Sequence, residues 1–284
     1  MTVAEAIAVG QARLPRRPGL PDPRREARWL LARALGWAET RVVASPDELL
    51  PGAVLERFLG WLDRRASGEP AHHLTGTCPF WGRELLVTPA VLVPRPETEL
   101  LVEAVLGLEL PATARVADVG TGSGCIGVTL ALERPGWRVT GVDLRLAALA
   151  VARSNACRLG ASLALVASDL AAAVTGPFDL IVANLPYVPA GALADLPVEV
   201  RHDPALALDG GPDGLRLVGQ LLADAPRLLS PAGVLALELG EGQAETVASQ
   251  GSDLGLPERG RVRDPGGCER VLVLGRAGKL TADS

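Results

Sequence analysis

The order of apolar runs along this chain predicts an α/β fold: a doubly wound, mainly parallel sheet, closed at one edge by an antiparallel hairpin and preceded by a small helical domain. Three observations carry that prediction. From residue 112 onward, short apolar strands at 115–119, 138–142, 163–167, 178–183 and 233–239 alternate with helical or loop segments. Such alternation implies a parallel sheet with helices on both faces. The tail RVRDPGGCERVLVLGR at 261–276 differs, with two β-prone pieces around a Pro-Gly-Gly turn, the pattern of a hairpin. Residues 2–67 show no strand alternation, only helically spaced apolar residues and proline-rich breaks at 15–23 and 45–51.

In chain order, Trp29, Leu30, Ala32 and Leu35 fall at roughly helical spacing, and Val54, Leu55, Phe58, Leu59 and Leu62 repeat the pattern. Residues 70–95 change character, with Gly76, Gly82 and the short β-prone pieces LLV and VLV, and read as a hairpin linker. The expected division is a helical domain at 1–68, a β-hairpin linker at 69–95 and the sheet domain at 96–284. With 284 residues, 48% of them hydrophobic, the chain can bury a sizeable core. Its net charge of −5 and aromatic share of 3% argue against a nucleic-acid binder. One region dissents: Arg13, Arg16, Arg17, Arg24, Arg25, Arg28, Arg33 and Arg41 form either a solvated helical surface or a docking face for an acidic partner. Cys78, Cys125, Cys157 and Cys268 are widely spaced without CxxC, which implies free thiols, and no metal site is expected. His72 and His73 have no evident partner in the linker. No basic leader with an apolar core, and no membrane-length apolar run, is found, so a cytoplasmic location is expected.

The first sheet strand runs into ADVGTGSGCIG at 117–127. Gly120, Gly122 and Gly124 allow a sharp turn and close approach to a ligand, and the following helix aims its free N–H groups there. Gly122, Gly124 and Gly127 also spell the GxGxxG of dinucleotide enzymes, so this motif alone leaves a dehydrogenase open. Asp143 ends the second strand, where an acidic residue accepts from ribose hydroxyls, and Ser168-Asp169 ends the third. Asp118 lies just inside the first. Each carboxylate alone reads equally as a helix cap. Converging on one rim they predict a nucleoside site, with the nucleoside left open.

The fourth strand stops at Asn184, Leu185, Pro186 and Tyr187. A turn would account for the Asn and Pro. Methyl transfer to an amide or amine nitrogen accounts for all four. The Asn184 side-chain oxygen and the Leu185 carbonyl can accept the two N–H bonds and aim the nitrogen lone pair at a sulfonium methyl. The same dipoles stabilise positive charge developing on nitrogen. Pro186 fixes the backbone without a competing donor, and Tyr187 can pack on the planar acceptor.

With these motifs in place, the chain resembles the PrmC/HemK family of protein-glutamine methyltransferases that modify class-1 peptide chain release factors. The resemblance rests on LVPRPETELLVE at 92–103, DVGTGSG at 118–124, VD at 142–143, SD at 168–169 and NLPY at 184–187. It continues through PALALDGGPDGL at 204–215, LELGEGQ at 237–243 and the closing RVRD…ERVLV. It implies a Rossmann-like class I methyltransferase sheet, with a helical N-terminal domain that docks the release factor. It implies S-adenosylmethionine held by Gly120, Thr121, Gly122, Ser123, Gly124, Asp143, Asp169, Leu170 and Asn184. Its acceptor, the glutamine of a GGQ loop, would lie against Asn184, Leu185, Pro186 and Tyr187, with no direct role for nucleic acid or membrane. Two departures stand out. The usual NPPY has Leu185 at its second position here, and Leu170 replaces an aromatic found in many relatives. NLPY is also similar to the motif of ribosomal-RNA adenine dimethyltransferases, which makes adenine-N methylation of RNA the alternative. An acidic chain with scarce aromatics fits RNA poorly.

Overall fold

The computed structural model describes residues 1–16 and 21–276. The chain forms two compact units, Met1–Thr77 with Pro197–His202, and Cys78–Leu196 with Asp203–Ser284.

The first unit is helical: α1 (Val3–Arg13), α2 (Pro23–Leu35), α3 (Glu39–Ala44), α4 (Gly52–Ala66) and α5 (Ala71–Thr75). Local chemistry sets the ends of its helices. Thr2 and Glu5 form a reciprocal capping box on α1, with Thr2 N–H donating to Glu5 Oε2 at 2.8 Å. Asp22 caps α2, Pro23 occupies its first turn, and Gly36 closes it in the left-handed region. Val3, Ala27, Leu30, Leu31, Phe58 and Leu62 meet in the core. Beside that core, buried Arg65 donates to Glu26 at 2.5 Å and to Glu199, from the Pro197–His202 segment, at 3.2 Å. Four arginines of the arginine-rich region pair with carboxylates of the same unit: Arg13 with Asp63 at 3.1 Å, Arg28 with Glu39 at 3.2 Å, Arg16 with Asp22 at 3.4 Å, and Arg41 with Glu48 at 3.9 Å. Arg17 lies outside the described residues. His72, expected to lack a partner, has two: its Nδ1 lies 3.0 Å from the Thr77 carbonyl, and its ring meets Trp29 edge-on at 5.4 Å.

A two-stranded hairpin, β1 (Thr77–Phe80) and β2 (Arg83–Leu86), leads into the second unit, turning at Trp81 and Gly82, both at positive φ. Then follow α6 (Pro96–Leu106), β3 (Arg115–Val119), α7 (Cys125–Glu133), β4 (Arg138–Asp143), α8 (Leu146–Leu159), β5 (Leu163–Ala167) and β6 (Phe178–Asn184). The chain continues through α9 (Arg216–Leu228), β7 (Leu229–Glu238), α10 (Ala244–Asp253), β8 (Glu258–Arg263) and β9 (Glu269–Gly275). The seven-stranded sheet has the order β5-β4-β3-β6-β7-β9-β8. Strands β3 to β7 pair in parallel, and β9 runs antiparallel to both β7 and β8. The tail therefore closes one edge as a hairpin.

Side chains alternate between two buried layers. On β6, Ile181 and Ala183 join the layer that holds Val218 and Leu221 of α9 and Val247 of α10. Leu180 and Val182 join the layer that holds Leu101 of α6 and Leu130 of α7. Strand β7 begins at Leu229, four residues before its expected start at 233. Phe178 pairs with Leu229, the register then shifts, and Leu180 pairs with Val234. Ser230–Gly233 reads as a turn in the sequence, yet the strand absorbs it as a bulge. From β3 the order proceeds one way to β4 and β5, and the other way to β6 and β7. Ligands bind at such a switch point, outside the carboxyl ends of the strands.

Candidate active site

At that switch point lies a cavity of ≈ 290 Å³. Gly120, Thr121, Gly122 and Ser123 line it after β3, Asp143 after β4, Asp169 and Leu170 after β5, and Asn184, Leu185 and Pro186 after β6. The structure thus brings together ten of the residues expected from sequence. Gly124 and Tyr187 lie outside the lining: Gly124 is buried as the cap of α7, and Tyr187 is half-buried behind the loop.

The glycine loop is tied to β4, with Gly120 and Thr121 N–H donating to the Val142 carbonyl at 2.8 and 2.9 Å. Gly120 has φ +77, and a Cβ there would stand 3.0 Å from Leu185 Cδ2. Asp143 Oδ2 accepts from Gly122 N–H and Oδ1 from Arg145 N–H, each at 2.9 Å. Each oxygen keeps a further lone pair for a ligand hydroxyl. Asp118 points inward, below the loop. Its Oδ2 accepts from Thr121 Oγ1 at 2.5 Å and from Gly127 N–H at 2.9 Å. Burial pushes its pKa up to about 6, against those two hydrogen bonds. A Cβ on Gly127 would lie 2.9 Å from Asp118 Oδ2, so the third glycine of the apparent dinucleotide motif serves close packing of α7 on β3. Leu170 takes φ 44 at the rim, a conformation costly for a bulky side chain.

The acceptor end is assembled from afar. Asn184 Nδ2 donates to Thr98 Oγ1 at 3.0 Å, on the first turns of α6. The neighbouring Arg95 pairs with buried Asp203 at 2.5 Å, which anchors the PRPETE segment. The ALALDGGPDGL stretch lies along the loop that follows β6. Val188 N–H donates to Leu208 O at 3.0 Å, and Gly210 N–H donates to Val188 O at 2.9 Å. Gly214 has φ +81, and a Cβ there would stand 2.2 Å from the Tyr187 carbonyl, so only glycine fits. That carbonyl accepts from Gln243 Nε2 of the LELGEGQ stretch at 3.0 Å. These motifs therefore form the frame of the Asn184–Tyr187 loop. Leu185 lends more than a carbonyl, since its side chain is 3% exposed within the core.

The same composite is seen in known proteins. The family model "PrmC N-terminal domain" matches residues 5–76, and "Methyltransferase small domain" matches 96–199. A release factor glutamine methyltransferase of Moorella thermoacetica is 45% identical over 251 residues, 87% of this chain and 88% of that protein. Another, from Deinococcus radiodurans, is 39% identical over 279 residues, 98% of this chain and 100% of that protein. The chain belongs to the release factor glutamine methyltransferase family. Solved structures agree on the fold. A Pyrococcus furiosus methyltransferase matches with TM-score 0.54 at 21% identity, over 69% of this chain and 90% of that one. A T. thermophilus 16S rRNA methyltransferase in complex with AdoMet and guanosine matches with TM-score 0.52 at 22% identity, over 71% and 50%.

This chain is a methyltransferase, and its cofactor is S-adenosylmethionine. The cavity fits that molecule. A glycine cradle that any side chain would fill faces it, and Asp143 offers spare acceptor capacity. The buried Ser123 hydroxyl finds no nitrogen or oxygen partner among the described residues. Cys125, at the start of α7, is pushed up to about 12 by burial and nearby Asp118, which keeps it a thiol. Among the described residues no group of His, Cys, Asp or Glu could hold a metal ion, and no helix is long and apolar enough to cross a membrane.

Two supports of the site, Thr98 and Glu238, escaped the motif reading. Glu238 ends β7 opposite Asn184 in the ladder and is 1% exposed. Burial drives its pKa up to about 7, with Glu97 adding to the rise and Thr98, Arg270 and Asn184 opposing it. The quoted motif PRPETE contained Thr98 without assigning it a role. Glu238 likewise stood in the LELGEGQ stretch at 237–243 without a role, since no spacing within that apolar strand end marks it.

Proposed function

We propose that this chain methylates the side-chain amide nitrogen of the glutamine in the GGQ motif of class-1 peptide chain release factors. The observation that carries the reading is the 3.0 Å contact from Asn184 Nδ2 to Thr98, which leaves Asn184 Oδ1 to accept from a substrate at the mouth of the glycine cradle. Bound in that cradle, S-adenosylmethionine supplies an electrophilic methyl group on a positively charged sulfur. Gly120, Thr121, Gly122 and Ser123 would wrap its amino-acid end, with Gly124 capping α7 beneath them, and Asp143 would accept from its ribose hydroxyls. Asp169 and Leu170 would border its adenine.

Asn184 Oδ1 and the Leu185 carbonyl accept the two N–H bonds of the glutamine amide. They turn its nitrogen toward the methyl and stabilise the positive charge that grows on it. The nitrogen's proton becomes acidic only after transfer, so no general base is required. Burial and Glu238 push the Tyr187 phenol up to about 12, which keeps it neutral and suits it to packing rather than proton transfer. The helical residues 1–68 would dock the release factor, 69–95 would link, and 96–284 would carry the chemistry, in the cytoplasm where translation terminates.

The test is incubation of labelled S-adenosylmethionine with a purified release factor and, separately, ribosomal RNA, with mass spectrometry locating the label. Methyl on the GGQ glutamine is the expected outcome. Methyl on adenine would select RNA methylation instead.

A further inference from the structure

We infer that Glu238 is a positioning residue, holding the Asn184 amide in the one orientation that turns its oxygen toward the acceptor nitrogen. This rests on the reading of Asn184 given above. An amide side chain has two ends of nearly equal size, and a half-turn exchanges an acceptor for a donor. Methyl transfer tolerates only one of these orientations, because an NH2 group facing the substrate amide would set donor against donor. Thr98 alone cannot choose between them, since its hydroxyl both donates and accepts. An ionised carboxylate only accepts.

Glu238 stands beside Asn184 across the β6–β7 ladder, buried at the strand end, and both Asn184 and Thr98 are near enough to favour its ionised form. As a carboxylate it draws the Asn184 NH2 inward and leaves Oδ1 outward. The placement brings the fold little of its own. Glu238 forms no ion pair among the described residues, and its buried Oε2 has no hydrogen-bond partner there. An oxygen buried in that way costs stability. The groups around it come from every packed element: Glu97 and Thr98 of α6, Cys125 of α7, Tyr187 after β6, and Arg270 of β9.

The protonation state then decides the orientation. A neutral Glu238 can donate its O–H to Asn184 Oδ1 and stabilise the reversed amide, so turnover requires the ionised form. With the pKa raised to about 7, turnover should climb as pH rises through neutrality. Stability runs the other way. A carboxyl whose pKa is higher folded than unfolded stabilises below its unfolded value, and loses that contribution as pH rises through the folded one. The group therefore serves activity at the expense of stability.

Glu238→Gln keeps the shape, cannot ionise, and can donate to Asn184 Oδ1. It should lower kcat by about 100-fold, leave the KM values for S-adenosylmethionine and release factor within about threefold, and abolish the rise of kcat with pH. At pH 8 it should melt no lower than the parent protein. A merely structural role would give a lower melting temperature, and that result overturns the inference. So does wild-type kcat, or a pH profile unchanged in the variant. Asn184→Ala, measured alongside, separates the two layers. Normal turnover without Asn184 brings down the reading underneath. A slow Asn184→Ala beside a normal Glu238→Gln brings down this inference alone.

Discussion

The two ends of the cavity are built in opposite ways. The cofactor end is local: Asp118 to Gly127 form one strand–loop–helix, tied to the neighbouring strand by two hydrogen bonds to Val142 and held from within by Asp118. What it presents to the cavity is mainly backbone and the space left by missing side chains. The acceptor end is non-local. Asn184 meets Thr98 across 86 residues, and Tyr187 meets Gln243 across 56. This end is assembled from groups on separate elements, each set by a different part of the core. Nucleoside binding can therefore be carried by one short motif, whereas the choice of acceptor atom is distributed over the fold.

Leu185 is where the two ends touch, and it offers the largest perturbation. Its buried side chain belongs to the acceptor loop but packs beneath Gly120. Leu185→Ala should cost about 2–5 kcal/mol of stability by denaturant unfolding. It should also weaken cofactor affinity along with turnover. If turnover alone falls, the two ends are more independent than the packing implies.

Asp143→Ala should perturb the cofactor end only. Losing a charged acceptor for ribose hydroxyls should weaken S-adenosylmethionine binding by about 1.5–3 kcal/mol in calorimetry, with kcat at saturating cofactor largely preserved. A comparable loss of kcat would mean that the acceptor end depends on this carboxylate too.

The third effect concerns Asp118, buried below the glycine loop with its pKa raised to about 6. Its contribution to folding is present below the ordinary Asp value near pH 4 and is lost as pH rises through about 6. Asp118→Asn should remove that dependence. Between those pH values the stability of wild type should fall relative to the variant by about 2 kcal/mol. Parallel curves would show that the loop holds Asp118 without titrating it.

This difference in construction also explains what could be read from the sequence. The strand–glycine–helix motif was legible because period, turn residues and capping all act within a dozen positions. The tail hairpin was legible for the same reason, its Pro-Gly-Gly turn lying between two β-prone pieces. The strand start at Leu229 was not, because Ser230, Pro231 and Gly233 are turn residues that only pairing with Phe178 absorbs into a strand. Asn184 stood out because an amide, a proline and an aromatic ended an apolar run. Its supports did not. Thr98 looks like any polar residue in a first helical turn, and Glu238 looks like the end of a strand. Only the register that sets Glu238 beside Asn184 gives either a role.

The most direct test of this division is a paired measurement on Asn184→Ala: single-turnover methylation of the release factor and calorimetric affinity for S-adenosylmethionine. The account predicts a rate lower by about 100- to 1000-fold, with cofactor affinity nearly unchanged. A wild-type rate, or a loss of rate fully matched by lost cofactor binding, would contradict it.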